Sequence, residues 1–404
     1  MQLGSATSVF CWKPNKRLAG AITLPMAKIP ERLSLLVSMN GSLAVAGKST
    51  GGGDLVLFKF MRLSQLEPDV LIPESAQTFA VTSGKKILTR KNNQLSLFGI
   101  VWLFLVRIAQ GLRAAWQNKK NYDVALAASP FGVDVIPVWF WKARHKGAVI
   151  YHVLPKRKAV NVATFIRFGL AALEQKITMA ILRRACDFIV AGNEFTQREL
   201  QALLPGKPMF ILPAGFDAGF IDRVPAQKKA ANLACFIGRL VSQKGIFDLL
   251  KVMAELARTR PDFRLVMVGT GPEKDFFIAE MQRLKLTNIE LAGFISEEEK
   301  IVLLKKSAYF FFPSYEEGWG IALAEALYCE CRCLCYALPH YATIFGDFPA
   351  YVRLGDAADF VKVFQNCGSV PAGQKDFLRQ YDDPNVARQL AEYLASVAAD
   401  APAK

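Results

Sequence analysis

The sequence predicts an α/β fold of two Rossmann-like domains, each built on a doubly wound parallel sheet, that face one another across a cleft. Buried-strand patterns alternate with helical stretches along most of the chain, and this alternation is typical of parallel sheets with helices on both faces. The alternation occurs in two series separated by Pro213-Ala-Gly-Phe-Asp217. At 404 residues the chain is long enough for two such cores.

The elements follow in chain order. Strands of the first series are predicted at 33–38, 69–73, 122–127, 148–153, 188–191 and 209–213. Strands of the second series are predicted at 234–238, 263–269, 289–292, 309–313 and 332–335. We therefore expect a first domain at 31–217, a second domain at 218–378, and a C-terminal helix at 379–404 that packs back on the first domain. Residues 1–30 have no periodicity and no acidic residue, so we expect either a disordered extension or the product of an upstream start site.

The positive charge lies in one half of the chain. Residues 1–225 hold 29 Lys and Arg against 13 Asp and Glu, whereas the remainder holds 21 against 22. A cationic half suits a polyanion or an anionic membrane surface. Nucleic acid is a competing partner, but the sequence has no zinc finger, RNP motif or long basic helix. We expect no nucleic acid, and an anionic membrane and a plainly solvated basic surface remain as alternatives.

The longest apolar run, at 95–106, is shorter than the roughly 18 residues of a membrane-spanning helix. It predicts either a buried helix or a helix that lies in a membrane interface. The protein is therefore expected in the cytoplasm, either free or on the inner face of a membrane.

The cysteines predict no disulfide framework. Cys329, Cys331, Cys333 and Cys335 alternate, and on a strand alternation puts all four in a line on one face. Tetrahedral zinc needs ligands that converge instead. We interpret these residues as small buried hydrophobes of a reducing compartment, with no metal ion.

The most informative residues follow strands of the second series. An apolar run ends at Pro313, a turn from Ser314 to Gly320 holds two glycines and two carboxylates, and an Ala- and Leu-rich helix follows. This order directs free backbone N–H groups at an anion. Earlier strands end in Gly238-Arg-Leu-Val-Ser-Gln-Lys-Gly245, Val268-Gly-Thr-Gly-Pro272 and Gly293-Phe-Ile295. Cations, glycines and carboxylates thus collect at one sheet edge, and this chemistry suits a nucleoside diphosphate sugar.

A second glycine-rich stretch lies in the first series. Gly47-Lys48-Ser49 has the tail of a phosphate-binding P-loop, but Gly41 stands one residue too early and three glycines follow Thr50. We interpret Gly51, Gly52 and Gly53 as a loop before a helix at 55–66, where a ligand approaches the backbone closely.

Together these motifs resemble the donor domain of the retaining glycosyltransferases of family 4, also called glycosyl transferases group 1, which have the GT-B fold. The resemblance covers roughly 33–395 and is strongest over 234–328. It implies transfer of a hexose from a nucleotide diphosphate sugar to a hydroxyl of a glycan or lipid-linked glycan, with retention, without a metal ion and without a cofactor.

The resemblance also implies roles for single residues. Arg239 and Lys244 would hold the diphosphate. Glu317 would lie at the donor sugar and Glu325, eight residues on, would bind the ribose hydroxyls. Further donor contacts are implied for Gly51, Gly52, Gly53, Ile295, Lys300, Gly320 and Ile321, and a sugar and acceptor contact for His152.

The sequence departs from the family pattern at Glu330 and Arg332, at Ala214-Gly215 and at Trp319. These departures affect loop shape and sugar choice more than the reaction. Two other functions stay open: a catalytically inactive sugar-nucleotide binding protein, and a GT-B enzyme that acts on sugar phosphates.

Overall fold

The computed structural model describes residues 33–42, 52–64, 66–78, 80, 82–90, 97–151 and 162–399. These residues contain two β-sheets in which every strand pairing is parallel. The first sheet contains β1 (Leu35–Ser38), β2 (Asp69–Pro73), β3 (Lys86–Thr89), β4 (Tyr122–Ala127), β5 (Ala143–Ile150), β6 (Phe188–Ala191) and β7 (Met209–Ile211). The second contains β8 (Ala230–Ile237), β9 (Arg264–Val268), β10 (Ile289–Gly293), β11 (Ser307–Phe312), β12 (Arg332–Tyr336) and β13 (Ala350–Val352). The predicted α/β fold with two parallel sheets is confirmed.

Helices connect the strands. Those up to the junction are α1 (Gly52–Leu63), α2 (Leu97–Gln117), α3 (Gly132–Phe140), α4 (Val162–Ala185), α5 (Glu194–Leu203) and α6 (Ala218–Arg223). Those that follow are α7 (Ile246–Thr259), α8 (Lys274–Arg283), α9 (Glu297–Lys306), α10 (Ile321–Tyr328), α11 (Tyr341–Phe345), α12 (Ala357–Asn366), α13 (Gln374–Leu378) and α14 (Asp383–Ala399).

Strand alternation explains the layers of the first domain. On β1, Leu35 and Val37 join the core beneath α1 and α14, whereas Leu36 joins the core beneath α2, α3 and α4. Successive side chains on a strand point to opposite faces, so a fully apolar strand such as β1 serves two cores at once. Helices therefore cover both faces of the sheet.

Each sheet has one point where the strand order reverses. The orders are β3-β2-β1-β4-β5-β6-β7 and β10-β9-β8-β11-β12-β13, so the reversals fall between β1 and β4 and between β8 and β11. The loops after these strand pairs diverge to opposite faces of the sheet and leave a crevice at the carboxyl edge, where ligands of doubly wound sheets bind.

The chain passes between the two sheets at two adjacent segments. Phe216 lies on the first crossing and Asp382 on the second, and they form a parallel β-bridge. The Phe216 amide donates to the Tyr381 carbonyl at 3.1 Å, and the Asp383 amide donates to the Phe216 carbonyl at 2.9 Å. After the second crossing, α14 packs against α1 on the first domain.

Some sequence interpretations need correction. The strands β3 and β13 were not predicted. Gly52 and Gly53 form the first turn of α1 rather than a loop, because the helix begins at Gly52. The described part of the apolar run, 97–106, lies in the first half of α2 and is only partly buried: Leu103 is buried, whereas Val101, Trp102 and Leu105 are exposed.

Cys329, Cys331, Cys333 and Cys335 are buried free thiols, as expected. Of these four, Cys333 and Cys335 lie on β12, whereas Cys329 caps the C-terminus of α10 and Cys331 precedes the strand.

Candidate functional site

The candidate site lies at the point where the strand order of the second sheet reverses. The loop after β8 carries Lys244, and the turn after β11 carries Glu317. The two segments touch because Gly245 has no side chain: a Cβ there would lie 2.0 Å from the Pro313 carbonyl oxygen. The Tyr315 amide also donates to the Gln243 carbonyl at 2.8 Å. The fold thus joins two of the predicted motifs.

Lys244 and Glu317 form an ion pair in which both side chains are largely buried. The Ser314 hydroxyl donates to the same Glu317 oxygen at 3.1 Å. The predicted diphosphate residue and the predicted sugar residue therefore hold one another. Arg239, in the same loop as Lys244, is exposed and its side chain makes no hydrogen bond or ion pair with the described residues.

Lys300 and Glu325 form a second buried pair. The Lys300 ammonium lies 2.9 Å from the Glu325 carboxylate and 2.6 Å from that of Glu297. Burial alone lowers the pKa of Lys300, but the carboxylates outweigh it and raise the pKa above its ordinary value. A capping box between Ser296 and Glu299 fixes the start of α9 just before Lys300. The Lys300 ammonium therefore holds Glu325 in place.

Gly320 and Ile321 mark the start of α10. Gly320 has φ +97°, and a Cβ there would lie 3.3 Å from the Tyr341 hydroxyl. Both the conformation and the crowding favour glycine. Since the first N–H groups of a helix have no partner within it, the turn presents free donors at this point. Ile295 lies half-buried in the loop between β10 and α9.

The loops after β8 and β9 pack backbone against backbone. A Cβ on Gly269 would lie 2.0 Å from the Gly238 carbonyl oxygen, and one on Gly271 would lie 2.3 Å from that of Leu240. The Leu240 amide donates to the Thr270 carbonyl at 3.1 Å. These glycines of the second predicted motif therefore hold the Arg239 loop in place.

A tyrosine–aspartate cluster supports the turn, and the sequence did not reveal it. The Tyr315 and Tyr336 hydroxyls both donate to Asp248 Oδ2, at 2.5 and 2.8 Å. Burial and these bonds to a carboxylate raise the pKa of Tyr315 to about 12. Tyr315 belongs to the turn, whereas Tyr336 is on β12 and Asp248 on α7. The cluster thus ties the turn to two elements of the second domain.

The first domain touches the turn across the cleft. The Asn193 amide nitrogen donates to the Gly318 carbonyl at 2.7 Å, while its oxygen caps α5 by accepting from the Thr196 amide. A Cβ on Gly318 would lie 3.6 Å from Tyr151. Sequence reasoning missed Asn193, although a polar residue two positions after a predicted strand was a visible signal.

Two predicted residues, His152 and Gly51, lie outside the described residues. Tyr151, the residue before His152, ends the segment next to Gly318. Gly52 and Gly53 lie at the start of α1, after β1, which is the carboxyl edge of the first sheet.

That edge of the first sheet holds a buried polar cluster. Asp134 accepts from the Gly41 amide at 3.0 Å and from the hydroxyls of Ser38 and Ser129. Burial raises the pKa of Asp134 to about 7. The fully buried Arg107 donates to the carbonyls of Asn40 and Ser42, both at 3.1 Å. The cluster fixes the backbone that leaves β1.

Two further searches were negative within the part of the chain that the structure describes. No group of three or more His, Cys, Asp or Glu side chains there could hold a metal ion. None of the helices described is both long and apolar enough to cross a membrane.

Comparison with known proteins gives a family match over part of the chain and a fold for nearly all of it. The family model for glycosyl transferases group 1 matches residues 218–362. The chain is 28% identical over 116 residues to 2-deoxystreptamine N-acetyl-D-glucosaminyltransferase of Niallia circulans, covering 28% of this chain and 30% of that protein. It is 27% identical over 262 residues to D-rhamnosyltransferase WbpZ of Pseudomonas aeruginosa, covering 59% and 65%. These matches thus span less than two thirds of each relative.

Solved structures match over nearly the whole chain. The Anabaena protein Alr3699/HepE, in complex with UDP and glucose, superposes with a TM-score of 0.66 at 14% identity, covering 90% of this chain and 100% of that one. Sucrose-phosphate synthase from Thermosynechococcus elongatus gives 0.66 at 15% identity, covering 90% and 98%. At this identity the likeness establishes the GT-B fold alone. The family model for glycosyl transferases group 1 thus matches residues 218–362, which include the Lys244–Glu317 and Lys300–Glu325 pairs, within a chain that has the GT-B fold.

Proposed function

We propose that this chain transfers a hexose from a nucleotide diphosphate sugar to a hydroxyl of a glycan or lipid-linked glycan, with retention at the anomeric carbon. The observation that carries the proposal is the edge of the second sheet, where Lys244 pairs with Glu317 and the same loop carries Arg239, which has no ion-pair partner among the described residues. The group 1 match over this region supports it, as do relatives whose names are those of sugar transferases.

The pairing at Lys244 suggests how the donor is held. A diphosphate competes with Glu317 for the Lys244 ammonium, and Arg239 adds a second cation. The released Glu317 carboxylate then accepts hydrogen bonds from hydroxyls of the donor sugar. Glu325, held by Lys300, accepts from the ribose hydroxyls. Ile295 packs near the base, and the amides of Gly320 and Ile321 donate to sugar or phosphate oxygens.

In the reaction, the bond between the anomeric carbon and the diphosphate oxygen breaks while the acceptor oxygen bonds to the same carbon. The acceptor proton passes to the leaving phosphate oxygen, so atoms and charge balance without a protein nucleophile. Negative charge grows on the diphosphate, and Arg239 and Lys244 stabilise it in place of a metal ion. His152, with Gly51, Gly52 and Gly53, is assigned to the sugar and diphosphate from the first domain. No cofactor is required.

We further propose that the chain works in the cytoplasm, at the inner face of a membrane when its acceptor is lipid-linked. The cationic first half, with 29 Lys and Arg against 13 Asp and Glu over residues 1–225, supports this location.

The test is a donor panel combined with a double variant. Hydrolysis or transfer is measured with UDP-, GDP- and ADP-sugars, which identifies the donor. With that donor, Arg239→Ala/Lys244→Ala should lower kcat by about 10²-fold or more, because developing charge loses both cations. Arg258→Ala/Lys362→Ala removes two exposed cations of the same domain and should leave kcat unchanged.

Three results would count against the proposal. Full turnover by Arg239→Ala/Lys244→Ala would reject the roles assigned to these cations. Binding of a sugar nucleotide without turnover on any acceptor would favour an inactive binding protein. Turnover only of sugar phosphates would favour a phosphorylase-type GT-B enzyme.

A further inference from the structure

We propose that the outer face of α2 and α4 in the first domain docks on an anionic phospholipid surface. We call this surface the α2–α4 face, and define it by Trp102, Leu105, Arg113 and Trp116 on α2 and by Leu173, Lys176 and Ile177 on α4. The docking itself does not depend on the glycosyl transfer proposed above; only the link to a lipid-borne acceptor rests on it.

The α2 part of the face is a straight apolar stripe. Trp102, Leu105, Ala109, Arg113 and Trp116 are spaced by three or four residues and are all exposed, and such spacing places side chains on one side of a helix. Trp102 is 62% exposed and Trp116 is 87% exposed. The core of the first domain lies on the opposite side of α2. The two exposed indole rings therefore do not contribute to its packing.

The stripe continues onto the neighbouring helices. α3 contacts both α2 and α4 and ends in the exposed Trp139 and Phe140. On α4, Leu173 and Ile177 are each more than half exposed, at 56% and 51%. Large exposed apolar patches mark contact surfaces, and tryptophan is the side chain most typical of membrane–water interfaces.

The positive charge of the α2–α4 face indicates which kind of partner it fits. Residues 97–117 contain no Asp or Glu, and in 162–185 the one carboxylate, Glu174, accepts from the Gly132 amide of α3 at 3.0 Å. Arg113, Lys119 and Lys176 are exposed and form no ion pair with any residue that the structure describes. Free cations among apolar side chains complement anionic headgroups above acyl chains.

Two other occupants fit less well. A second copy would bring two cationic faces together, which is unfavourable. The chain's own residues 1–32 hold five Lys and Arg and one Glu, so their charge also opposes this surface. An anionic bilayer is the partner whose charge and apolar content both match.

The position of the face also suits a membrane-borne acceptor. α2 follows β3 and α4 follows β5, so both helices begin at the carboxyl edge of the sheet, where the cleft lies, and run back from it. A membrane surface that lies along the α2–α4 face would therefore reach the opening of the cleft.

Sedimentation with vesicles tests the proposal on the full chain without donor. Binding is measured to vesicles of phosphatidylcholine alone and of equimolar phosphatidylcholine and phosphatidylglycerol. We expect binding only to the second. Trp102→Ser/Trp116→Ser and Arg113→Glu/Lys176→Glu should each lower the partition coefficient by about tenfold or more.

Matched controls come from the second domain. Phe276→Ser removes a ring that is 61% exposed on α8, and Arg258→Glu/Lys362→Glu reverses two exposed cations; neither should alter binding. Circular dichroism and donor hydrolysis without vesicles report whether each variant is folded.

Equal binding to both vesicle types, no binding, or unchanged binding by the stripe variants would overturn the proposal. So would a dimer in solution that Trp102→Ser/Trp116→Ser dissociates, since the face would then join two copies. None of these outcomes bears on donor turnover, which is assayed separately.

Discussion

Lys244 and Glu317 each neutralise the charge of the other in the site. A ligand that binds either residue must therefore replace an existing charge partner rather than meet a bare ion. If a phosphate replaces the Glu317 carboxylate, Lys244 still has an anionic partner. The cost of removing its ammonium group from water therefore stays offset. A neutral sugar offers no such replacement. The pair thus favours ligands that carry their own negative charge.

Asp134 gives a pH-dependent prediction at the same scale. Burial raises its pKa from 3.8 to about 7 in the folded chain. Between these values the folded state keeps a proton that the unfolded state has lost, so the unfolding free energy falls as pH rises through this window. Asp134→Asn removes this dependence. The difference in unfolding free energy between the variant and wild type should shift in favour of the variant by about 3 kcal/mol between about pH 5 and pH 8.

Urea denaturation at several pH values measures this difference. Asn retains an oxygen for the Gly41 amide, so the variant should fold. Parallel curves for the two proteins would show that Asp134 has the same pKa in both states.

Among the elements, the turn from Pro313 to Gly320 depends most on its neighbours. It has no regular structure of its own. It is held by a backbone bond from Tyr315 to Gln243, by Asn193 across the cleft and by the Tyr315 hydroxyl on Asp248. Rigid support of this kind keeps a carboxylate such as Glu317 in one orientation.

Tyr315→Phe tests this support. Loss of the bond to Asp248 should loosen the turn and lower kcat by about tenfold, with a smaller change in KM, because misplacement costs more in the transition state than in binding. Tyr336→Phe is the matched control, since it removes a bond to the same carboxylate oxygen from β12. It should cost stability with little change in kcat. Equal kinetic effects of the two variants would contradict the positioning role.

The elements also show how far sequence reasoning reaches. Central strands such as β4 and β6 were predicted with the bounds that the structure has, because burial on both faces makes their sequences almost entirely apolar. The edge strands β3 and β13 were missed. In β3 (Lys86–Thr89) two of the four side chains are exposed, so its hydrophobic pattern is weak. Three glycines predicted a loop where α1 begins, although two of them occupy only the first turn, where a helix has few internal bonds.

Within the site, the local motifs were predictable and their partners were not. The spacing from Glu317 to Glu325 is visible in the chain, but the Lys244–Glu317 and Lys300–Glu325 pairs join residues 73 and 25 positions apart. No local pattern marks Asp248, because Tyr315 and Tyr336 reach it only in the folded sheet. Such contacts depend on strand order, which the sequence pattern does not encode directly.

At the scale of the whole molecule, α14 ties the end of the chain to its beginning. Lys59 on α1 lies 2.9 Å from Asp383 at the start of α14, and both side chains are largely buried. Burial raises the pKa of Asp383 to about 6 although Lys59 opposes the shift. Together with the apolar contacts of Val386 and Leu390, this pair fixes α14 on the first domain.

A double-mutant cycle tests the pair. Lys59→Met leaves a buried carboxylate without its cation and should lower the unfolding free energy by about 3 kcal/mol. Lys59→Met/Asp383→Asn should regain most of that loss, because no charge is left unpaired. Unfolding is followed by urea denaturation at neutral pH. Additive effects of the two substitutions would show that the residues do not interact.

The paired crossings at Phe216 and Asp382 limit how the domains can move. One connection would leave the second domain free to swing and to twist. Here two connections are joined by a β-bridge and backbone hydrogen bonds. They define one axis between the domains, so a bend about this axis meets little resistance, whereas a twist strains both segments. An opening about this axis would break the hydrogen bond from Asn193 to the Gly318 carbonyl, and closing would re-form the same bond. The double connection at Phe216 and Asp382 thus determines how the two domains align.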